Sequence, residues 1–295
     1  MAQAGHAAAF RGRTPTRALQ PAQVRAAAVR AGTVVGVLLA LWGLWELYRY
    51  VWIREAWTWP FPVNDTTLPH IHSIFQALGQ PTSQGPLLIT FLLHAAWFTA
   101  KEALVGFGLG AVVGFALAVA LVHSRLAQRA LLPYIVASQT IPILAVAPMV
   151  VVWLKSGWQS VAVIAAYLTF FPVTINTLRG LQSADTAAHE LLRSYAASRW
   201  KVLWKLRVPA SMPYLFSALK VSATASVVGA IIGELPSSIQ GGLGGAILNF
   251  NQYYSITPAD LWATNLIAAA LGITFFVAVV LAEKLVVRRA PEQRA

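Results

Sequence analysis

Residues 103–122 read ALVGFGLGAVVGFALAVALV, twenty positions without a charge, an amide or a hydroxyl. About 20 apolar residues is the length a helix needs to cross the hydrocarbon core of a bilayer. Gly106, Gly110 and Gly114 recur every fourth residue within it. They place a stripe of missing side chains on one helix face, where a neighbouring backbone can approach closely.

The same reading, extended outward, predicts an all-α bundle of six transmembrane spans: Gly32 to about Val51, Ala103 to Val122, Leu132 to Leu154, Val161 to Leu181, Tyr214 to Leu235, and Leu261 to about Leu281. An amphipathic stretch, Leu87 to Ala100, precedes the second. Composition agrees: 57% of residues are apolar, 11% are charged, and the mean hydropathy is +0.62. A soluble domain carries about 25% charge. Eleven Trp and eight Tyr suit belts at the lipid boundary.

The net charge of +12 comes from 22 Lys and Arg against 10 Asp and Glu. These cations flank apolar runs and form no single patch, so they describe membrane orientation and not nucleic-acid binding. Arg11, Arg13, Arg17, Arg25 and Arg30 precede the first span, and Arg125 and Arg129 lie between the second and third. Arg193, Arg199, Lys201, Lys205 and Arg207 lie between the fourth and fifth, and Lys284, Arg288, Arg289 and Arg294 follow the sixth. Six spans put all four groups on one side, opposite Arg49, Arg54 and Lys155, so both termini are expected in the cytoplasm.

Residues 1–31 read as a basic, disordered cytoplasmic tail, 32–287 as the membrane domain, and 288–295 as a second tail. Trp57 to Pro86 reads as an external loop with a short helix at His70–Leu78. With no cysteine there is no disulfide, thiolate metal site or Cys nucleophile. His70, His72, His94 and His123 form no convincing metal set, and no cofactor is expected. The absence of any Gly-Lys dipeptide rules out a Walker A phosphate loop. Gly241 to Gly245, lacking that Lys and a helix start, reads as a bend before the last span.

The connection from Gln182 to Met212 is long and patterned. Asp185 is placed to cap a short helix carrying Ala188, Leu191, Leu192 and Tyr195 on one face, with Glu190 and Arg193 spaced to pair. Ser198 is placed to cap a second helix with Trp200, Leu203 and Trp204 as its stripe, ended by Pro209 and Pro213. From the residues alone, such a hairpin either lies on anionic lipid or docks on a protein.

The run from Glu190 through Leu191, Leu192, Arg193, Ala196, Ala197, Ser198, Arg199 and Trp200 to Val208-Pro209 resembles the cytoplasmic "EAA" loop of binding-protein-dependent ABC importer permeases. In that pattern Glu-Ala-Ala is followed by three residues, a Gly, nine residues, and Ile-x-Leu-Pro. The Arg-Ser before the Gly position and the Ala-Ser-Arg-Trp turn look like the nitrate/sulfonate/taurine branch, which also includes importers of vitamin and pyrimidine precursors. Leu191 and Leu192 replace the two Ala, and Ala196 replaces the Gly, where positive φ or close approach is favoured.

The resemblance implies a type I importer permease, not itself an enzyme, in the inner membrane of a bacterium. It implies that the loop couples to a cytosolic ATP-binding subunit. It further implies an extracytoplasmic solute-binding protein and a second permease copy. Polar groups inside spans tend to face cavities, which makes Asn176, Lys220 and Glu234 candidates for the translocation path, Glu234 also as a helix-end carboxylate in interfacial water. The solute is expected to be nitrate-, sulfonate- or taurine-like, or a vitamin or pyrimidine precursor; the Gly233–Pro236 turn leans toward the latter. Two alternatives stay open. One is an ion-coupled secondary transporter, for which Glu46, Glu102, Glu234 and Glu283 read as lying toward span ends. The other is a membrane protein that only recruits cytosolic partners.

Overall fold

The computed structural model describes residues 21–59, 62–82, 85–237 and 241–287, and every secondary-structure element among them is helical apart from one isolated bridge, Pro81 to Leu87. The chain divides into two units, residues 1–64 and 65–295.

The first unit holds α1, Pro21–Arg54. The helix begins well before the expected span, so residues 21–31, read as part of a disordered tail, are helical; the remainder of that tail lies outside the described residues. The segment Gly32–Arg54 is long and apolar enough to cross a membrane. Tyr48 stacks on Trp52 at 4.3 Å near its end, as aromatic boundary anchors do.

The second unit begins with α2 (Ile71–Leu78), the short helix expected in the outer loop. It continues with α3 (Leu88–His123), in which the amphipathic stretch and the second span are one continuous helix. Glu102 therefore lies inside a long helix and is buried, not placed at a span end. The third span is not one helix. Instead α4 (Arg125–Ser138) and α5 (Ile143–Trp153) meet at 98°. Pro142 explains the break: it has no N–H, and it disfavours helical geometry at the residue before it. Then follow α6 (Trp158–Gln182), α7 (Thr186–Ser194), α8 (Arg199–Val202), a π-helical turn (Leu203–Arg207), α9 (Val208–Glu234), α10 (Leu243–Gln252) and α11 (Pro258–Val286). Among the described residues, five helices are long and apolar enough to span a membrane, or six with the bent pair counted as one.

The expectation that Pro209 and Pro213 end the second loop helix fails. Helix runs without interruption from Arg199 to Glu234. The π turn sits just before Pro209, and Val208 N–H donates to Leu203 O across five residues. Widening the helix there accommodates a ring that would otherwise clash with the carbonyl four residues back.

Helix α6 is the centre of the bundle, and glycines set its distance from both neighbours. A Cβ added at Gly106 would lie 2.4 Å from Ala165 Cβ, one at Gly110 2.5 Å from Thr169 Cβ, and one at Gly114 2.6 Å from Phe170 O. On the other flank, a Cβ at Gly229 would meet Ala165 Cα at 2.9 Å, and one at Gly180 would meet Tyr214 Cβ at 2.8 Å. The stripe seen in the sequence is thus the α3–α6 contact. Ser222 Oγ donates to Thr169 O at 3.3 Å and adds a polar link from α9.

Replacing Gly110 by Val is expected to force α3 and α6 apart and cost about 1–3 kcal/mol. Gly108, with nothing within 4 Å of an added Cβ, should accept Ala without loss. Unfolding of the two purified variants in detergent compares them directly.

Candidate functional site

Two regions combine the residues singled out above. The first is the loop between α6 and α9. Asp185 Oδ1 accepts from Ala187 N at 3.3 Å, and Ser198 Oγ accepts from Lys201 N at 3.4 Å, so both expected caps form. Between them α7 ends in a reciprocal pair of hydrogen bonds. Ala196 N donates to Arg193 O at 2.9 Å and Ala197 N donates to Leu192 O at 3.0 Å, with Ala196 at φ +51°. This is the Schellman arrangement, whose left-handed residue is usually glycine. Ala196 occupies that residue's place and carries a Cβ in a conformation costing about 1–2 kcal/mol.

The turn splits the expected apolar stripe. Ala188 and Leu192 are half-buried, while Leu191 is 58% exposed and Tyr195 76% exposed. Glu190 is exposed too, and among the described residues it forms no ion pair with Arg193. Trp200 and Trp204 are exposed on the following helix, at 62% and 56%. The loop thus displays Glu190, Leu191 and Trp200 on a capped hairpin. Pro209, carried over from the loop pattern, is exposed within the first turn of α9.

Arg207 was not singled out by its spacing, yet it holds the loop to the bundle. Its Nη2 lies 3.0 Å from His189 Nε2, and its Nη1 donates to Val122 O at 3.5 Å. The only clue in the sequence is that it sits among other cations.

The second region lies at the opposite end of α9. Glu234 is completely buried, which contradicts its reading as a carboxylate in interfacial water. Thr99 Oγ1 donates to Glu234 Oε1 at 2.7 Å, and Gly244 N donates to Oε2 at 2.6 Å. Leu243 N donates to Thr99 Oγ1 at 2.9 Å. The carboxylate therefore occupies the N-terminus of α10, where free N–H groups and the helix dipole favour negative charge. Gly241–Gly245 is accordingly not a bend alone, because α10 starts within it. A Cβ at Gly242 would lie 2.1 Å from Glu234 Oε1, so glycine is required for the carboxylate to enter. Glu102, one turn beyond Thr99 on α3, is 3% exposed, and its carboxyl lies beside that of Glu234.

The other pathway candidates are not gathered with Glu234. Lys220 Nζ pairs with Glu283 Oε2 at 2.6 Å, linking α9 to α11. Asn176 Nδ2 donates to Pro172 O at 2.9 Å within α6.

Against this geometry, known proteins give a consistent picture. The model of a family described as "binding-protein-dependent transport system inner membrane component" matches residues 110–290. A formylaminopyrimidine transport permease protein of Halalkalibacterium halodurans is 34% identical over 59% of this chain and 69% of its own length. A probable ABC transporter permease protein of Haemophilus influenzae is 30% identical over 70% of this chain and 77% of its own. Among solved structures, the MetNI methionine ABC transporter in inward-facing conformations aligns with a TM-score of 0.59 at 18% identity, covering 68% of this chain and 98% of that one.

Glu234→Gln removes one of two acceptor oxygens and leaves a buried donor unpaired, at an expected cost of about 1–3 kcal/mol in detergent unfolding. Ala196→Gly, in contrast, should raise hydrogen-exchange protection at the end of α7, by about 1 kcal/mol of relieved strain.

Proposed function

The chain belongs to the binding-protein-dependent transport system inner membrane component family, and on that premise we propose that two copies of it line the path of a small solute and couple through the α7–α8 loop to a separate ATP-binding subunit. Members of the family are membrane permease components of ABC transporters, and ATP hydrolysis belongs to a partner subunit. One observation carries the coupling assignment. The loop is a locally capped hairpin, closed by the Schellman turn at Ala196, that leaves Glu190, Leu191 and Trp200 exposed. Large apolar side chains held out on a rigid turn suit a partner's groove.

Both termini and this loop face the cytoplasm in this reading, as the distribution of Lys and Arg requires. A solute-binding protein delivers from the other side, where Glu234 fixes α10 beside the ends of α3 and α9. Closure of the ATPase dimer draws the loops together and shifts the bundle between inward- and outward-open states, driven by the difference in contacts between the two. The solute is a small heterocycle of the vitamin or pyrimidine-precursor kind, a reading supported by the formylaminopyrimidine permease at 34% identity.

Co-expression with the neighbouring ATPase and extraction in mild detergent tests the coupling. The wild-type chain should retain the ATPase stoichiometrically. Glu190→Lys should insert normally, yet lose solute-stimulated ATP hydrolysis by about tenfold or more, the scale of removing a charge-assisted contact. Unchanged uptake by Glu190→Lys would refute the assignment.

A further inference from the structure

Behind the exposed Glu190 and Leu191 of the loop lies a cavity of about 610 Å³. It lies between the end of α3, the body of α7, the Ala196 turn and the start of α8. Its lining includes Arg193, Arg199, Arg207, His123 and His189, and no acidic residue. On α7 the lining positions are His189 and Arg193, four apart on one face, whereas Glu190 and Leu191 are not part of it. Arg193, Ala196, Ala197 and Arg199 belong both to this lining and to the loop pattern.

Arg207 and His189 hold one another in place, while Arg193 and Arg199 are exposed. Arginine has donors only, so the 3.0 Å contact to Arg207 makes His189 Nε2 an acceptor and puts that ring's proton on Nδ1. His123 Nδ1 lies 2.7 Å from Val119 O, and its ring is 5.5 Å from that of Trp200. Three arginines line one cavity with no carboxylate in its lining, a balance that favours an anion there. The guanidinium fork fits phosphate oxygens pairwise.

We propose that this cavity binds a phosphate group, supplied by the headgroup of an anionic phospholipid at the cytoplasmic surface or by free phosphate. The site is at the end of the α3 span, and about half its lining is apolar, from Val122, Val202, Ala196 and Ala197. That combination of cations and apolar wall at a span end matches the headgroup layer. A bound phosphate would brace the strained Ala196 turn from behind and hold the hairpin in its displayed orientation. The inference rests on the cytoplasmic, ATPase-facing reading of the loop given above.

The test uses the whole transporter, this chain with its ATPase, in nanodiscs of phosphatidylcholine with or without phosphatidylglycerol. Native mass spectrometry reads retained lipid, while co-purification and solute-stimulated ATPase activity separately read coupling. Phosphatidylglycerol is expected to stay bound to wild type. Occupancy should fall about tenfold or more in Arg207→Gln, as loss of a charge-assisted contact implies. It should persist in Arg129→Gln, whose charge lies outside the cavity, and fall less in Arg207→Lys, which keeps the charge and loses the fork, than in Arg207→Gln. Inorganic phosphate, titrated against the phosphatidylcholine sample, distinguishes the sources: protection of the loop from exchange by phosphate with no lipid retained assigns the site to the free ion. If neither phosphatidylglycerol nor phosphate binds while the ATPase still co-purifies and couples, the phosphate site is refuted and the coupling reading stands. Loss of the ATPase from the wild-type complex refutes the coupling reading instead.

Discussion

The structure depends on how closely α6 can approach its neighbours. In a bilayer, lipid tails are as apolar as leucine, so helices gain little by hiding apolar surface from them, and close packing must do the work. Here the approach is set by Gly106, Gly110 and Gly114 on α3 and by Gly229 on α9, each facing α6 at a distance that excludes a Cβ. Gly180 plays the reciprocal part on α6, against Ser211 and Tyr214. The three-helix seam gives the bundle a rigid axis. One end of it meets the buried Glu234 network, and the other meets the loop.

At the Glu234 end, a buried acidic group is made structural. The carboxylate collects the Thr99 hydroxyl and the Gly244 N–H, and Leu243 N–H reaches Thr99, so α3, α9 and α10 share one set of hydrogen bonds. A buried carboxylate without such donors would be very costly. The small residues around it belong to the same solution, because Gly242 and Gly244 leave the space that the side chain fills. Glu102 lies beside Glu234 and does not share its Thr99 and Gly244 donors, so the two acids of this region have different environments.

At the loop end, local order stands against local strain. The Schellman bonds define where α7 stops, but they place a non-glycine residue at φ +51°. The π turn before Pro209 likewise replaces an expected helix stop with a continuous helix that joins the loop to α9. The second half of the hairpin and the Glu234 network thus lie on one continuous helix, Arg199 to Glu234. That connection is the physical basis for treating the loop as a lever.

Much of this was legible in the sequence where the governing forces are local. Hydropathy over about 20 residues marked the membrane helices, four-residue spacing marked the glycine stripe, and Asp185 and Ser198 marked the loop helices through caps that reach only two or three residues. The Gly position in the loop pattern marked a place for positive φ or close approach, and Ala196 takes the positive φ. Tertiary structure alone decided the rest. The burial of Glu234 depends on Thr99, 135 positions away, and that of Thr99 on Leu243, 144 positions away. The bent α4–α5 pair and the unbroken passage through Pro209 depend on which carbonyls find other donors, and the basic cavity depends on α3 ending beside a hairpin that begins 63 residues later, at Thr186. A sequence read in short windows carries propensity and periodicity; it does not carry which distant groups satisfy a buried acid.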